Sequence, residues 1–281
     1  MDIKPEISVE FFPPKTEEGA RQILRTANKI KNCNVKYASI TYGAGGTTRE
    51  RTVEYASLLG EIFNFNMMPH LTCVEHSVDD LRQMLRLYQN SGLTRVMALR
   101  GDPPKNSAEF RAHPNGLKHA SELVSLIKSE FPSFKVYAAC YPEKHFEAKT
   151  LQEDIAHLKI KADCGVDYFI SQLFFENSHF YKFMDMCETA GITQPIIPGL
   201  LPALSFEQVQ KFCTMSNAYL PEELAEKLKN APDAESARKI GTEWTLAQIK
   251  DLLAHGVNRF HLYIVNRSDS AVSILNSLKN L

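Results

Sequence analysis

Eight short apolar runs rich in Val, Ile, Phe and Tyr recur along the chain, and each is followed by a longer segment of helical periodicity. The runs are ISVEFF (7–12), VKYASITY (35–42), NMMPHLTC (66–73), TRVMALRG (94–101), FKVYAACY (134–141), DYFISQLFF (167–175), PIIPGLLP (195–202) and RFHLYIVN (259–266). Between them, TEEGARQILRTANKIKN, SVDDLRQMLRLYQNSG and SELVSLIKSEF repeat apolar residues at three- and four-residue spacing behind Ser, Thr or Asp in the capping position. Strands apolar on both faces that alternate with amphipathic helices imply a parallel sheet covered by helices. Eight such units in 281 residues predict an α/β fold, a closed (β/α)8 TIM barrel, with an open doubly wound sheet as the alternative. The stretch 205–255 is longer than one crossover helix, so extra helices are expected between strands seven and eight. No Gly/Ser/Pro linker or charge block divides residues 1–281, which predicts one domain.

Composition narrows the partners. With 32 Lys and Arg against 33 Asp and Glu, the net charge is −1, and no basic run interleaved with aromatics offers a nucleic-acid surface. Small-molecule partners are expected. The start MDIKPEISVE lacks the basic and apolar regions of a secretory signal, and no stretch reaches the roughly 18 apolar residues of a membrane span, which together predict a cytoplasmic protein. The six cysteines are scattered without metal-binding spacing and read as reduced, mostly buried thiols. No metal centre is expected, because strand one has no His-x-His pair and no His/carboxylate cluster has ligand spacing. Nor does a lysine stand at a strand end where Schiff-base chemistry needs one.

In a (β/α)8 barrel the C-terminal strand ends form the active face. Seven of the eight runs direct a polar group there: Glu10; Thr41 and Tyr42 before GAGGTT; His70; Arg100-Gly101-Asp102; Tyr141 with His145; Gln172; and Asn266-Arg267. A purely structural core avoids such groups, since each must be satisfied or solvated. Glu10 is the sharpest case, a carboxylate between Val9 and Phe11-Phe12-Pro13-Pro14. Either it pairs with a basic residue inside the barrel or it works as an acid; its parity matches Ser8 and Phe12, so it shares their face. Neighbouring aromatic rings are expected to raise its pKa. The glycine loop after strand two suits a phosphate but lacks the dinucleotide G-x-G-x-x-G spacing. The turn at LRGDPP and both histidines have structural readings as well.

With EFFPP, TYGAGG, PHLTC, LRGDPP, AACYPEKHFEAK, ISQLFF, IIPGLLP and HLYIVNR in register from residue 7 to the C-terminus, the sequence resembles methylenetetrahydrofolate reductase of the bacterial type, catalytic domain only. The resemblance implies a flavoprotein oxidoreductase of one-carbon metabolism and methionine biosynthesis. Such an enzyme reduces 5,10-methylenetetrahydrofolate to 5-methyltetrahydrofolate by ping-pong hydride transfer through flavin N5, with NADH or NADPH as donor and bound FAD as carrier. By the same resemblance Glu10 is the general acid toward folate N10, and Asp102 stabilises the cationic intermediate. The flavin is held by Tyr42, Ala44, His70, Arg100, Gly101, Asp102, Ala120, Tyr141, His145, Ala148, Asp154, His157 and Lys161. Substrates meet Thr41, Asp102, Gln172, Gln208 and Arg267. His157 stands where bacterial relatives often carry Asn, and Ile160 where a second basic residue is often found. A homo-oligomer is a family expectation, and no inhibition by S-adenosylmethionine is predicted. Two other readings make different predictions: a flavin-free pterin-binding methyltransferase barrel, which gives colourless protein and no role for Glu10, and a ligand-binding partner subunit without turnover.

Overall fold

The structure, a computed structural model, describes residues 4–42, 46–102 and 110–279. Its strands are β1 (Glu6–Phe11), β2 (Val35–Ile40), β3 (Met67–Thr72), β4 (Arg95–Leu99), β5 (Lys135–Cys140), β6 (Tyr168–Ser171), β7 (Ile196–Ile197), β8 (Gly199–Leu200) and β9 (Arg259–Leu262). All neighbours pair in parallel, in the order β7-β6-β5-β4-β3-β2-β1-β9-β8. The two edges of that sheet, β7 and β8, are consecutive pieces of one strand interrupted at Pro198, so the sheet curls into a ring. The ladder continues across the interruption, where the His261 amide donates to the Pro198 carbonyl at 2.9 Å. The expected TIM-barrel architecture is borne out, with seventh-strand residues 195–202 split by the proline that a ladder cannot use as a donor.

Helices α1 (Glu17–Ile30), α2 (Gly46–Phe63), α3 (Val78–Asn90), α4 (Ala120–Glu130), α5 (Leu151–Asp163) and α6 (Asn177–Thr189) form the crossovers around the sheet. The local signals act as written. Thr16 caps α1 by accepting the Gly19 amide, and Ser77 and Asp80 form a reciprocal capping box at α3. At α4 the helix starts one residue before the Ser121 that the sequence suggests; Glu122 supplies the cap by accepting the amides of Lys118 and His119. The expected insertion after strand seven is α7 (Phe206–Ser216), α8 (Glu222–Lys229) and α9 (Ala234–Ala254), before α10 (Asp269–Lys279) closes the described chain. None of the described helices is long and apolar enough to cross a membrane. All six cysteines are free thiols, and all but Cys164 are buried.

Strand alternation divides the apolar residues into two sets. Ile7, Val9 and Phe11 of β1 point outward and pack with Ile23, Ala27 and Ile30 of α1 and with Phe65. The inward set is smaller and layered: Tyr37, Met68, Met97, Tyr137, Ile170 and Ile197 fill the barrel interior. Tyr37 lies against Tyr137 at 5.4 Å between ring centroids, and Tyr137 stacks on Tyr168 at 5.0 Å. This aromatic floor excludes water from the lower barrel. Polar side chains begin directly above it.

Candidate active site

Register sets the first polar layer. Ser8 pairs across with Tyr37 and His261, and Glu10 with Ser39, so Ser8 and Glu10 share the inward face that their parity predicts. Glu10 is 7 % exposed. One of its oxygens, Oε2, lies 3.3 Å from His70 Nε2 on β3, accepts from Ser39 Oγ at 3.3 Å, and stands 3.8 Å from His261 Nε2 on β9. The His70 contact is of hydrogen-bond length, whereas the His261 contact is an ion-pair distance. The His261 ring is fixed from behind, its Nδ1 lying 2.8 Å from Ser8 Oγ, whereas at His70 it is the main chain that is held, Tyr88 of α3 donating its hydroxyl to the His70 carbonyl at 2.9 Å. The Ser8 hydroxyl in turn donates to the Phe260 carbonyl at 3.2 Å, leaving its oxygen to accept the Nδ1 proton. Nε2 is then the ring nitrogen that faces the carboxylate.

This cluster corrects one expectation. Phe11, thought to raise the Glu10 pKa, points out into the helix layer beside Phe65, at 6.1 Å. Burial does push the carboxyl up, but hydrogen bonding and charge from His261 and His70 outweigh it and hold Glu10 down at about 2. Glu10 is therefore an ionised carboxylate between two imidazoles. A proton it delivers must be one that it shares with them.

The second part of the site is the rim formed by β4, β5 and the segments after them. Arg100 forms a two-pronged ion pair with Glu147, at 2.5 and 2.8 Å, and its guanidinium lies 4.8 Å from the Phe110 ring centre. Gly101 adopts φ +87°, and a Cβ there would lie 2.7 Å from Val74 Cγ1, so the turn requires glycine. Asp102 is exposed beside this turn. Tyr141, His145 and Phe146 form an aromatic row with centroids 4.8 and 4.4 Å apart. Burial pushes the Tyr141 phenol up and the His145 imidazole down, so both favour their neutral forms. Asp154 accepts the His145 amide at 2.8 Å, and Lys144 donates to the Ala148 carbonyl at 2.9 Å, which ties the loop to α5. Tyr42 reaches His76 Nε2 at 2.9 Å.

The other expected site residues are spread over several elements. Lys161 turns inward to donate to the Ala139 carbonyl at 2.5 Å, with burial lowering its pKa. His157 is exposed on α5. Gln172 follows the end of β6, and its Oε1 folds back onto the Leu173 amide at 2.9 Å. Gln208 accepts the Leu204 amide at 2.8 Å in the first turn of α7. Thr41 is held by backbone, donating to the Phe11 carbonyl at 3.0 Å and accepting from Thr52 Oγ1 at 3.1 Å. Arg267 is exposed beyond β9, and Ala120 opens α4. Ala44 lies outside the described residues. His261 and Ser39, which face Glu10, and Ser8, which holds His261, were not predicted for these roles. RFHLYIVN did carry a signal, because alternation puts Arg259, His261 and Tyr263 on one face.

A parallel barrel with a buried carboxylate–histidine cluster above an apolar floor, and an aromatic, cationic rim at the strand ends, defines an enzyme of the (β/α)8 class built around small organic ligands. A family model described as methylenetetrahydrofolate reductase matches residues 2–279. The chain is 36 % identical over 273 residues to 5,10-methylenetetrahydrofolate reductase of Escherichia coli (strain K12), covering 97 % of this chain and 90 % of that one. It is 34 % identical over 282 residues to methylenetetrahydrofolate reductase (NADH) 1 of Arabidopsis thaliana, covering 96 % of this chain and 48 % of the relative. Among solved structures, a Clostridium thermocellum protein described as binding two copies of 5-methyl-5,6,7,8-tetrahydrofolic acid superposes with TM-score 0.68 at 15 % identity, covering 99 % and 96 % of the two chains. An oxaloacetate acetylhydrolase superposes with TM-score 0.54 at 9 % identity, covering 99 % of this chain and 81 % of that one. At those identities the likeness is one of fold. The chain belongs to the methylenetetrahydrofolate reductase family.

Proposed function

We propose that the protein reduces 5,10-methylenetetrahydrofolate to 5-methyltetrahydrofolate with NAD(P)H in a ping-pong cycle, residues 1–281 forming one FAD-binding catalytic barrel. The observation that carries this reading is the Glu10 carboxylate held between His70 and His261 in a chain of this family. Nicotinamide and folate are large, flat ligands, and the rim offers them the exposed ring of Phe146 beside the partly buried rings of Tyr141 and His145. A bound flavin supplies the two-electron relay between them. The described residues fit such a group. Thr72 Oγ1 is buried at the mouth end of β3 with no hydrogen-bond partner among the described residues, and Arg100, paired with Glu147, stands at the end of β4 with its charge near Tyr141. Tyr42, Ala44, His70, the Arg100-Gly101-Asp102 turn, Ala120, Tyr141, His145, Ala148, Asp154, His157 and Lys161 would hold it.

The chain's own chemistry is proton handling. Opening the five-membered ring of the folate requires a proton at N10, and the methylene carbon becomes reducible only as that C–N bond breaks. Glu10 delivers this proton after drawing it from His261 in its imidazolium form, which carries a proton on Nε2 in addition to the Nδ1 proton held by Ser8, and His261 is left as the neutral imidazole. His70 and Ser39 hold the carboxylate in place meanwhile. Asp102, whose charge lies near Arg100 and Tyr141, accepts from the pterin and balances the positive charge that develops on it. Thr41, Gln172, Gln208 and Arg267 make the remaining substrate contacts, the Arg267 charge suiting the carboxylates of the folate tail.

The test is an absorbance spectrum of the FAD-reconstituted protein before and after anaerobic NADH, followed by addition of folate. A flavin band that NADH bleaches and 5,10-methylenetetrahydrofolate restores is expected. Glu10→Gln should keep the bleaching and slow the folate-dependent recovery by about 10²–10⁴-fold. Protein that stays colourless after reconstitution, or a Glu10→Gln variant with full folate turnover, overturns the reading.

A further inference from the structure

Beyond the acid itself, the structure shows what holds its strand in place. β9 accompanies β1 only as far as Leu262, opposite Val9, so Glu10 and Phe11 have no β9 partner. The chain then turns through Val265 and Asn266 at φ 48° and 53°. Two successive non-glycine residues in the left-handed region, one of them β-branched, are costly and persist only where other contacts over-determine them. The contact here is a clasp. Asn266 Oδ1 accepts the Phe12 amide at 2.9 Å, and Asn266 Nδ2 donates to the Phe12 carbonyl at 2.9 Å. These are the two bonds a neighbouring strand would make, supplied by one carboxamide. The Asn266 carbonyl is itself anchored to α1, accepting from Thr26 Oγ1 at 2.8 Å and Gln22 Nε2 at 3.2 Å.

β1 is thus fastened to the β9 segment at Val9 and again at Phe12, with Glu10 between the two fastenings and its proton partner His261 on the opposite strand. Slack at Phe12 would let the end of β1 move relative to β9 and change the Glu10–His261 distance of 3.8 Å. The chemistry of the clasp selects asparagine. Aspartate sets a second acceptor against the Phe12 carbonyl, glutamine is one methylene too long, and asparagine tolerates the left-handed backbone. We propose that Asn266 is a positioning residue for proton delivery, setting the geometry of the Glu10–His261 pair through the backbone of Phe12. This rests on Glu10 acting as the acid.

The experiment compares wild type with Asn266→Asp and Asn266→Gly, both of which accept the left-handed backbone and lack the two-bond clasp. Amide hydrogen exchange at Phe12 should rise at least tenfold in each. The folate-dependent half-reaction should slow by about 10–100-fold, with a changed pH profile, while reduction by NADH stays within twofold of wild type. Thr26→Val, which releases only the Asn266 carbonyl, should give the same selective slowing at about two- to fivefold and keeps the test open if the other variants do not fold. Faster Phe12 exchange with an unchanged folate step and pH profile overturns the proposal. So does equal slowing of both half-reactions in step with a fallen Tm, which assigns Asn266 to scaffold stability alone. Wild-type protein that NADH does not bleach, or that folate does not reoxidise, refutes the parent reading instead, and the positioning role falls with it.

Discussion

At Glu10, burial and pairing pull in opposite directions, and pairing wins. Desolvation alone makes a neutral carboxyl, yet the carboxyl is held at about 2 against an ordinary 4.5 because two imidazoles face it. The folded state therefore binds this proton more weakly than the unfolded chain does. Its stabilising contribution is full above about pH 4.5 and is lost as pH falls toward 2. Denaturant titrations across that window should show wild-type stability falling more steeply than that of Glu10→Gln, by up to about 1.4 kcal/mol per pH unit. Parallel slopes would refute the pairing. His261 is the second test at this scale. His261→Asn keeps a polar side chain toward Ser8 but cannot carry the proton, so the folate half-reaction should slow about 10–100-fold with NADH reduction retained, measured by stopped flow. The sequence made Glu10 conspicuous and gave its face by parity. It did not pair Glu10 with His261, which is 251 positions away in the chain, although alternation along RFHLYIVN puts His261 on one face with Arg259 and Tyr263.

The elements were more legible than their partners, because each is written in contiguous residues. Capping by Thr16 and Ser77, the three helices after strand seven and the eight strand positions all follow from local pattern. Strand six was the exception: QLFF continues its apolar run, but residue pairing ends at Ser171; the Gln172 amide makes one last bond, to the Cys140 carbonyl at 2.7 Å, and its side chain accepts the Leu173 amide. Strand seven is short for a visible reason. Pro198 withholds a donor, and Gly199 brings its backbone so close to β6 that an added Cβ would lie 2.2 Å from the Ser171 carbonyl and 2.6 Å from the Tyr263 ring. That ring bridges the seam by donating its hydroxyl to the same carbonyl at 2.7 Å. Gly199→Ala must displace either the strand or the tyrosine beside His261, a change that costs about 3 kcal/mol by the usual scale of overpacking. Urea unfolding should show the loss as a lower midpoint, and an unchanged midpoint would mean the seam is looser than its contacts indicate.

Across the whole molecule, the barrel is a graded solvent: an aromatic floor of Tyr37, Tyr137 and Tyr168, then the Glu10 layer, then a rim rich in rings and cations. The ring was legible because eight apolar runs leave few other ways to bury a parallel sheet. The gradient was not, because it depends on which inward side chains share a level, and register sets that between strands far apart in sequence. The rim also predicts how the molecule responds to the proposed flavin. One of the rim's groups has no protein partner, Thr72 Oγ1 being buried with none among the described residues, and the partner of Arg100, Glu147, is half-exposed. A ligand that binds only the folded state adds about 2.7 kcal/mol at a hundredfold excess over Kd. For a chain of this size that raises Tm by roughly 5–10 °C. FAD titrated against the apoprotein in a thermal melt should give that shift, and riboflavin, lacking phosphates, a smaller one. Arg100→Ala should diminish the FAD shift, while Glu10→Gln, whose carboxylate lies in the layer below, should retain it. Equal shifts for FAD and riboflavin would place the phosphates outside the Arg100 rim.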